Sequence, residues 1–138
     1  WQVDSANIKN IDYILNKTLD SEKYSWIQDF DLYQLVTNKF KPKHVVFTGG
    51  EPCLYDLTRV TSYFEQGGYK TQIETSGTEL IKCHYNTWVT VSPKINMSGG
   101  KKLYKESILR ANEIKMPVGK QKDVENLNVQ THKYIGLR

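Results

Sequence analysis

A chain of 138 residues, with a formal net charge of +4 and 38% hydrophobic residues, is sized and composed for one small domain with a modest core. Lysines such as Lys39, Lys43, Lys101, Lys105 and Lys122 are scattered rather than gathered into a basic arm, which reads as a solvated surface and not as a nucleic-acid interface. No run approaches the roughly 18 apolar residues of a membrane span, the N-terminus shows no charged-then-apolar leader, and the two cysteines, Cys53 and Cys83, are expected to be reduced thiols in a cytoplasm.

In chain order, Ile8, Ile11, Ile14 and Leu15 predict a helix over 8–19. Leu32, Leu35, Val36 and Phe40 predict another over 30–40, with Asp29 or Asp31 as its N-cap. Lys43 to Phe47 reads as a buried strand. Leu57, Val60 and Phe64 share one face of a helix over 56–66, which Gly67-Gly68 should end. Strands are expected over 69–75 and 87–91, a helix over 103–112 carrying Tyr104, Ile108 and Ala111, and a further extended segment over 114–118. Strands and helices alternating at this spacing predict an α/β fold with a parallel sheet. The sequence has no internal repeat.

Three of these strands end in polar strings. Val45-Val46-Phe47 runs into Thr48-Gly49-Gly50-Glu51-Pro52, Ile73 into Glu74-Thr75-Ser76-Gly77-Thr78, and Val91 into Ser92-Pro93-Lys94. Glycine permits unusual dihedrals and a close approach to its own backbone, and proline stops the strand ladder. Parallel strands present their carboxyl ends on one side, where ligands collect in open α/β sheets and barrels. Neighbouring strands lie about 4.8 Å apart, so Thr48, Glu74 and Ser92 are expected on one rim, within reach of one small molecule. A tight turn at Gly49-Gly50, a strand terminator at Ser92-Pro93 and a packed β-branched residue at Thr48 are the plainer alternatives. Cys53 has no Cys-x-x-Cys partner and reads as a structural cysteine.

Thr48-Gly49-Gly50-Glu51-Pro52 resembles the Gly-Gly-Glu-Pro motif of the radical S-adenosylmethionine (SAM) superfamily. Ile73 to Thr78, Asn86 to Lys94 and Gln130-Thr131-His132-Lys133-Tyr134 resemble strings of the 7-carboxy-7-deazaguanine synthases within it. The likeness runs from about residue 43 to 118 and resumes over the last ten or so. It implies a partial, open (β/α) barrel and three cofactors: SAM, a [4Fe-4S] cluster and Mg2+. It assigns SAM binding to Gly49, Gly50 and Glu51, chiefly through their backbone, and to Ser92, Pro93 and Lys94. Thr48, Gln130 and His132 would contact the substrate. The implied reaction converts 6-carboxy-5,6,7,8-tetrahydropterin to 7-carboxy-7-deazaguanine with loss of ammonia, a step of queuosine biosynthesis. The resemblance also implies a homodimer and a reducing partner such as flavodoxin.

The family's Cys-x-x-x-Cys-x-x-Cys motif is not in this sequence, and cluster iron needs thiolates. The preceding substrate loop and the magnesium-binding threonine are missing too, and Leu127 runs directly into Asn128 where the family interposes a strand and helix. The expectation is a single radical SAM-like domain over 1–138 that belongs to a longer polypeptide, without its N-terminal cluster segment and a segment between 127 and 128. Two other functions compete with the lyase. One is a nucleotide- or pterin-binding module without cluster or catalysis. The other is an activase of another protein's glycyl radical, against which the string Gln130 to Tyr134 argues.

Overall fold

The computed structural model describes residues 25–94, 102–116 and 118–125, so the helix predicted over 8–19 lies outside the described residues. The elements in order are α1 (Asp29–Lys39), β1 (His44–Phe47), a 3-10 turn (Pro52–Leu54), α2 (Thr58–Gln66), β2 (Lys70–Thr75), β3 (Trp88–Val91), α3 (Lys105–Arg110) and β4 (Glu113–Ile114). The strands make one parallel sheet in the order β1-β2-β3-β4. Phe47 lies opposite Ile73, Glu74 opposite Thr90, and Thr90 opposite Glu113. Each described strand is laid on the same side of its predecessor.

Side chains alternate across a strand, and here the alternation sorts the two faces. Thr71, Ile73 and Thr75 of β2 are buried with Val89 and Val91 of β3, and the two valines pack with Ile108 and Ala111 of the α3 region. Phe64 of α2 is wholly buried, its ring edge-on to Phe47, Tyr33 and Tyr69. The opposite face is polar. Gln72 Nε2 donates to the Thr90 hydroxyl at 3.0 Å, that hydroxyl donates to Glu113 Oε2 at 2.8 Å, and Lys115 Nζ stands 3.8 Å from Glu74 Oε1. β1 therefore departs from the buried strand expected for it. Val45 and Phe47 are half-buried, whereas His44 and Val46 are exposed on the polar face, Val46 by 44%.

Helix boundaries differ from the sequence reading for local reasons. Neither Asp29 nor Asp31 caps α1; Gln28 holds the cap position without a side-chain bond, and both aspartates sit in the first turn, where the helix dipole favours them. In α2 the chain starts its helix at Thr58, because Asp56 Oδ1 accepts the Thr58 N–H at 2.9 Å and ends the preceding loop. Gly68 follows at φ +83°, a conformation suited to a helix end. α3 is shorter than 103–112 because Asn112 already belongs to the sheet: its N–H donates to the Val89 carbonyl and its Oδ1 accepts the Val89 N–H, both at 2.8 Å. At the end of α3, Arg110 Nη2 donates to the Thr87 carbonyl at 2.7 Å and lies 3.2 Å from that of Tyr85, which ties the loop before β3 to the helix.

Candidate functional site

The register of β1 against β2 places Thr48, just past Phe47, level with Glu74, and that of β2 against β3 brings Ser92 to the same end. The three polar strand ends thus share one rim, as the sequence predicts. Thr48, Gly49 and Gly50 are exposed there. Gly49 has φ +80° and Gly50 φ +43°, and a Cβ on either would meet nothing within 4 Å. Backbone conformation, not crowding, is what demands glycine at both positions. The result is an open turn whose peptide groups a ligand can approach.

Glu51 closes this turn. Its side chain accepts the Cys53 N–H at 3.1 Å, the Thr75 hydroxyl at 2.5 Å, the Ser76 N–H at 2.9 Å and the Ser76 hydroxyl. Pro52 then opens the short 3-10 turn. On the neighbouring strand, the Thr75 carbonyl accepts the Ser92 N–H at 2.7 Å, so the ladder continues one residue past β3 before Pro93 ends it. Lys94 Nζ donates to the Ser92 hydroxyl at 3.0 Å, which gathers an ammonium and a hydroxyl on one side of the buried Pro93. Gly77 has φ +76° and a Cβ there would come 2.7 Å from Val91 Cγ1, so no other residue fits between the strand ends.

These features suit SAM on the amino-acid side. Exposed peptide groups of a glycine turn can accept an ammonium, and a lysine–serine pair can meet a carboxylate or ribose. They do not suit an iron–sulfur cluster. Cys53 is 6% exposed, and burial pushes its thiol up to about 12, away from the thiolate a metal requires. Burial likewise raises the Cys83 thiol, against the lowering pull of Arg110. Both cysteines are free, and no group of three or more His, Cys, Asp or Glu among the described residues could hold a metal ion. What the rim residues can do is bind a small molecule and orient it.

Of the sequence-predicted residues, the structure brings together Thr48, Gly49, Gly50, Glu51, Ser92, Pro93 and Lys94 on the rim; Gln130 and His132 lie outside the described residues. Sequence reading assigned no role to Thr75 and Ser76, the partners of Glu51 on β2. The signal for them was the hydroxyl pair beside Glu74, in a string already marked as a polar strand end.

Fold and rim together define a parallel α/β protein with a candidate ligand site at its strand ends. Comparison with known proteins makes this particular. The chain is 46% identical over 129 residues to the 7-carboxy-7-deazaguanine synthase of Buchnera aphidicola subsp. Schizaphis graminum, covering 93% of this chain and 57% of that protein. It is 47% identical over 116 residues to the enzyme of the same name from Escherichia coli K12, covering 83% and 52%. The crystal structure of QueE from Escherichia coli superposes with a TM-score of 0.73 at 42% identity, over 96% of this chain and 59% of that one. No family model matches the chain. The chain is similar to 7-carboxy-7-deazaguanine synthases, and it spans about half the length of the curated relatives it matches.

Proposed function

We propose that the protein acts as a 7-carboxy-7-deazaguanine synthase, a radical SAM lyase that converts 6-carboxy-5,6,7,8-tetrahydropterin to 7-carboxy-7-deazaguanine with loss of ammonia in queuosine biosynthesis. The observation that carries this is 46–47% identity to synthases of that name, over a stretch that includes all three rim strings. When bound, SAM supplies the hydrogen-abstracting chemistry. The exposed backbone of Gly49 and Gly50 receives the methionyl ammonium, and Ser92 and Lys94 orient its carboxylate and ribose end. Thr48 offers a hydroxyl to the substrate, with Gln130 and His132 as further substrate contacts.

Strands added always on one side fit an open (β/α) barrel better than a doubly wound sheet, whose strand order reverses. The polar face with Gln72, Glu74, Thr90 and Lys115 would line its interior. A [4Fe-4S] cluster, Mg2+, a flavodoxin-like electron donor, a homodimeric state and a cytoplasmic location complete the proposal. No helix among the described residues is long and apolar enough to cross a membrane. The experiment is an anaerobic assay of the full-length polypeptide, cluster-binding cysteines included, after iron–sulfur reconstitution, with SAM, a reductant and the carboxypterin. Formation of 7-carboxy-7-deazaguanine is expected. Iron-loaded protein that binds SAM and yields no product would overturn the assignment in favour of a pterin- or nucleotide-binding module.

A further inference from the structure

We propose that Glu51 is a positioning residue: its carboxylate does not take up the bound molecule but pins the Gly49-Gly50 turn to the end of β2. What the turn holds rests on the reading of the rim as a SAM site; how it is held rests on geometry alone. Oε1 accepts from the Cys53 N–H and the Thr75 hydroxyl, and Oε2 from the Ser76 N–H and hydroxyl. Each oxygen thus serves two donors, and these come both from its own turn and from the neighbouring strand.

The turn needs such a fixture. Gly49 and Gly50 sit at positive φ with open space where side chains would be, so no packing of their own selects this conformation. Glu51 is the first residue after them that is anchored. Its anchor is deep: Thr75 is 3% exposed, and its hydroxyl also accepts the Gly77 N–H at 3.1 Å. Through the Thr75 carbonyl, which holds the Ser92 N–H at 2.7 Å, the same residue fixes the start of Ser92-Pro93-Lys94. One carboxylate therefore sets the glycine turn relative to the lysine end across the rim.

Only a carboxylate meets these demands. Two of its four donors are backbone N–H groups, which cannot turn into acceptors. In Glu51→Gln one oxygen becomes an NH2 that confronts one of those N–H groups in either orientation of the amide. In Glu51→Asp the chain is a methylene too short to reach β2.

The test uses the full-length polypeptide, cluster-binding cysteines included, after iron–sulfur reconstitution. SAM is titrated calorimetrically into wild type, Glu51→Gln, Thr75→Val and the double variant, and amide hydrogen exchange of residues 49–51 and 53 is measured without SAM. Glu51→Gln and Thr75→Val should each weaken SAM by about tenfold, a lost charge-assisted hydrogen bond read as affinity. The double variant should be no weaker than Glu51→Gln, and the turn amides should exchange faster in both single variants. Thr75 is too buried to touch SAM, and because its hydroxyl binds both Glu51 and the Gly77 N–H, the non-additive double variant is what assigns its effect to Glu51. Weakening by Glu51→Gln with Thr75→Val unchanged in affinity and exchange would make Glu51 a direct ligand contact and overturn the proposal. So would unaltered exchange of the turn in both. Ser76→Ala replaces Thr75→Val if the latter does not fold, with faster exchange expected and unaltered exchange overturning. If wild type takes up no SAM, the functional reading falls, and the exchange comparison alone sustains or overturns the clamp.

Discussion

Asp56 shows how one exposed carboxylate shapes a boundary. The Thr58 hydroxyl and N–H both hold its charge, so its carboxyl lies below the ordinary value of 3.8. A depressed carboxylate stabilises the fold fully above its unfolded pKa and loses that contribution as pH falls through the folded one. Asp56→Ala should cost about 1 kcal/mol at neutral pH, the usual net worth of one hydrogen bond at an exposed site. In urea melts the gap to wild type should close as pH drops below about 3.8. Gly77 makes a harder demand. Gly77→Ala places a Cβ 2.7 Å from Val91 Cγ1 at φ +76°. Strained backbone and overpacking together should cost roughly 2–4 kcal/mol in denaturant midpoint analysis. Both residues stand in turns, Asp56 acting through a hydrogen bond to the backbone and Gly77 through its conformation and its missing side chain.

At the level of elements, α2 is the piece on which the sheet rests. Phe64 is fully buried among Tyr33, Phe47 and Tyr69. Phe64→Ala should cost roughly 3–5 kcal/mol, read as a lowered thermal midpoint with loss of cooperative packing around β1 and β2. This helix was legible in the sequence because Leu57, Val60 and Phe64 repeat at helical spacing and two glycines follow. β3 was legible as an apolar run with a sharp polar end, and β2 as a short segment with β-branched Thr71, Ile73 and Thr75 between the glycines at 67–68 and the turn at Ser76-Gly77. The shorter α3 was not, because Asn112 looks like a helix residue until its side chain and N–H are seen taking both hydrogen bonds of Val89. Nor was the exposure of Val46 legible, since Val45-Val46-Phe47 reads as uniformly apolar. The rim glycines and Ser92-Pro93-Lys94 were found because special backbone demands leave their mark on residue type. The Glu51 to Thr75 and Ser76 contacts join residues 24 and 25 positions apart and left no such mark.

For the whole molecule, the shared rim is where ligand affinity is to be read. Lys94→Ala in the reconstituted full chain should weaken SAM by roughly 1.5–3 kcal/mol, the range for a hydrogen bond to a charged group. Isothermal titration checks it, and unchanged affinity would remove Lys94 from the site. The opposite, helix-bearing side of the sheet is joined differently. α1 buries none of its residues fully, yet Phe30 and Tyr33 meet Tyr63, Phe64 and Tyr69 at ring distances of 5.2–6.2 Å. Tyr33 also occupies the notch that Gly67 leaves, where a Cβ would fall 2.5 Å from its Oη. Beside the exposed Asp29–Arg59 ion pair at 3.7 Å, this helix is attached through ring against ring in an asymmetric array. Such an array is optically active in its own right, so near-ultraviolet circular dichroism from the tyrosines would report whether α1 is docked, independently of the backbone signal from the sheet.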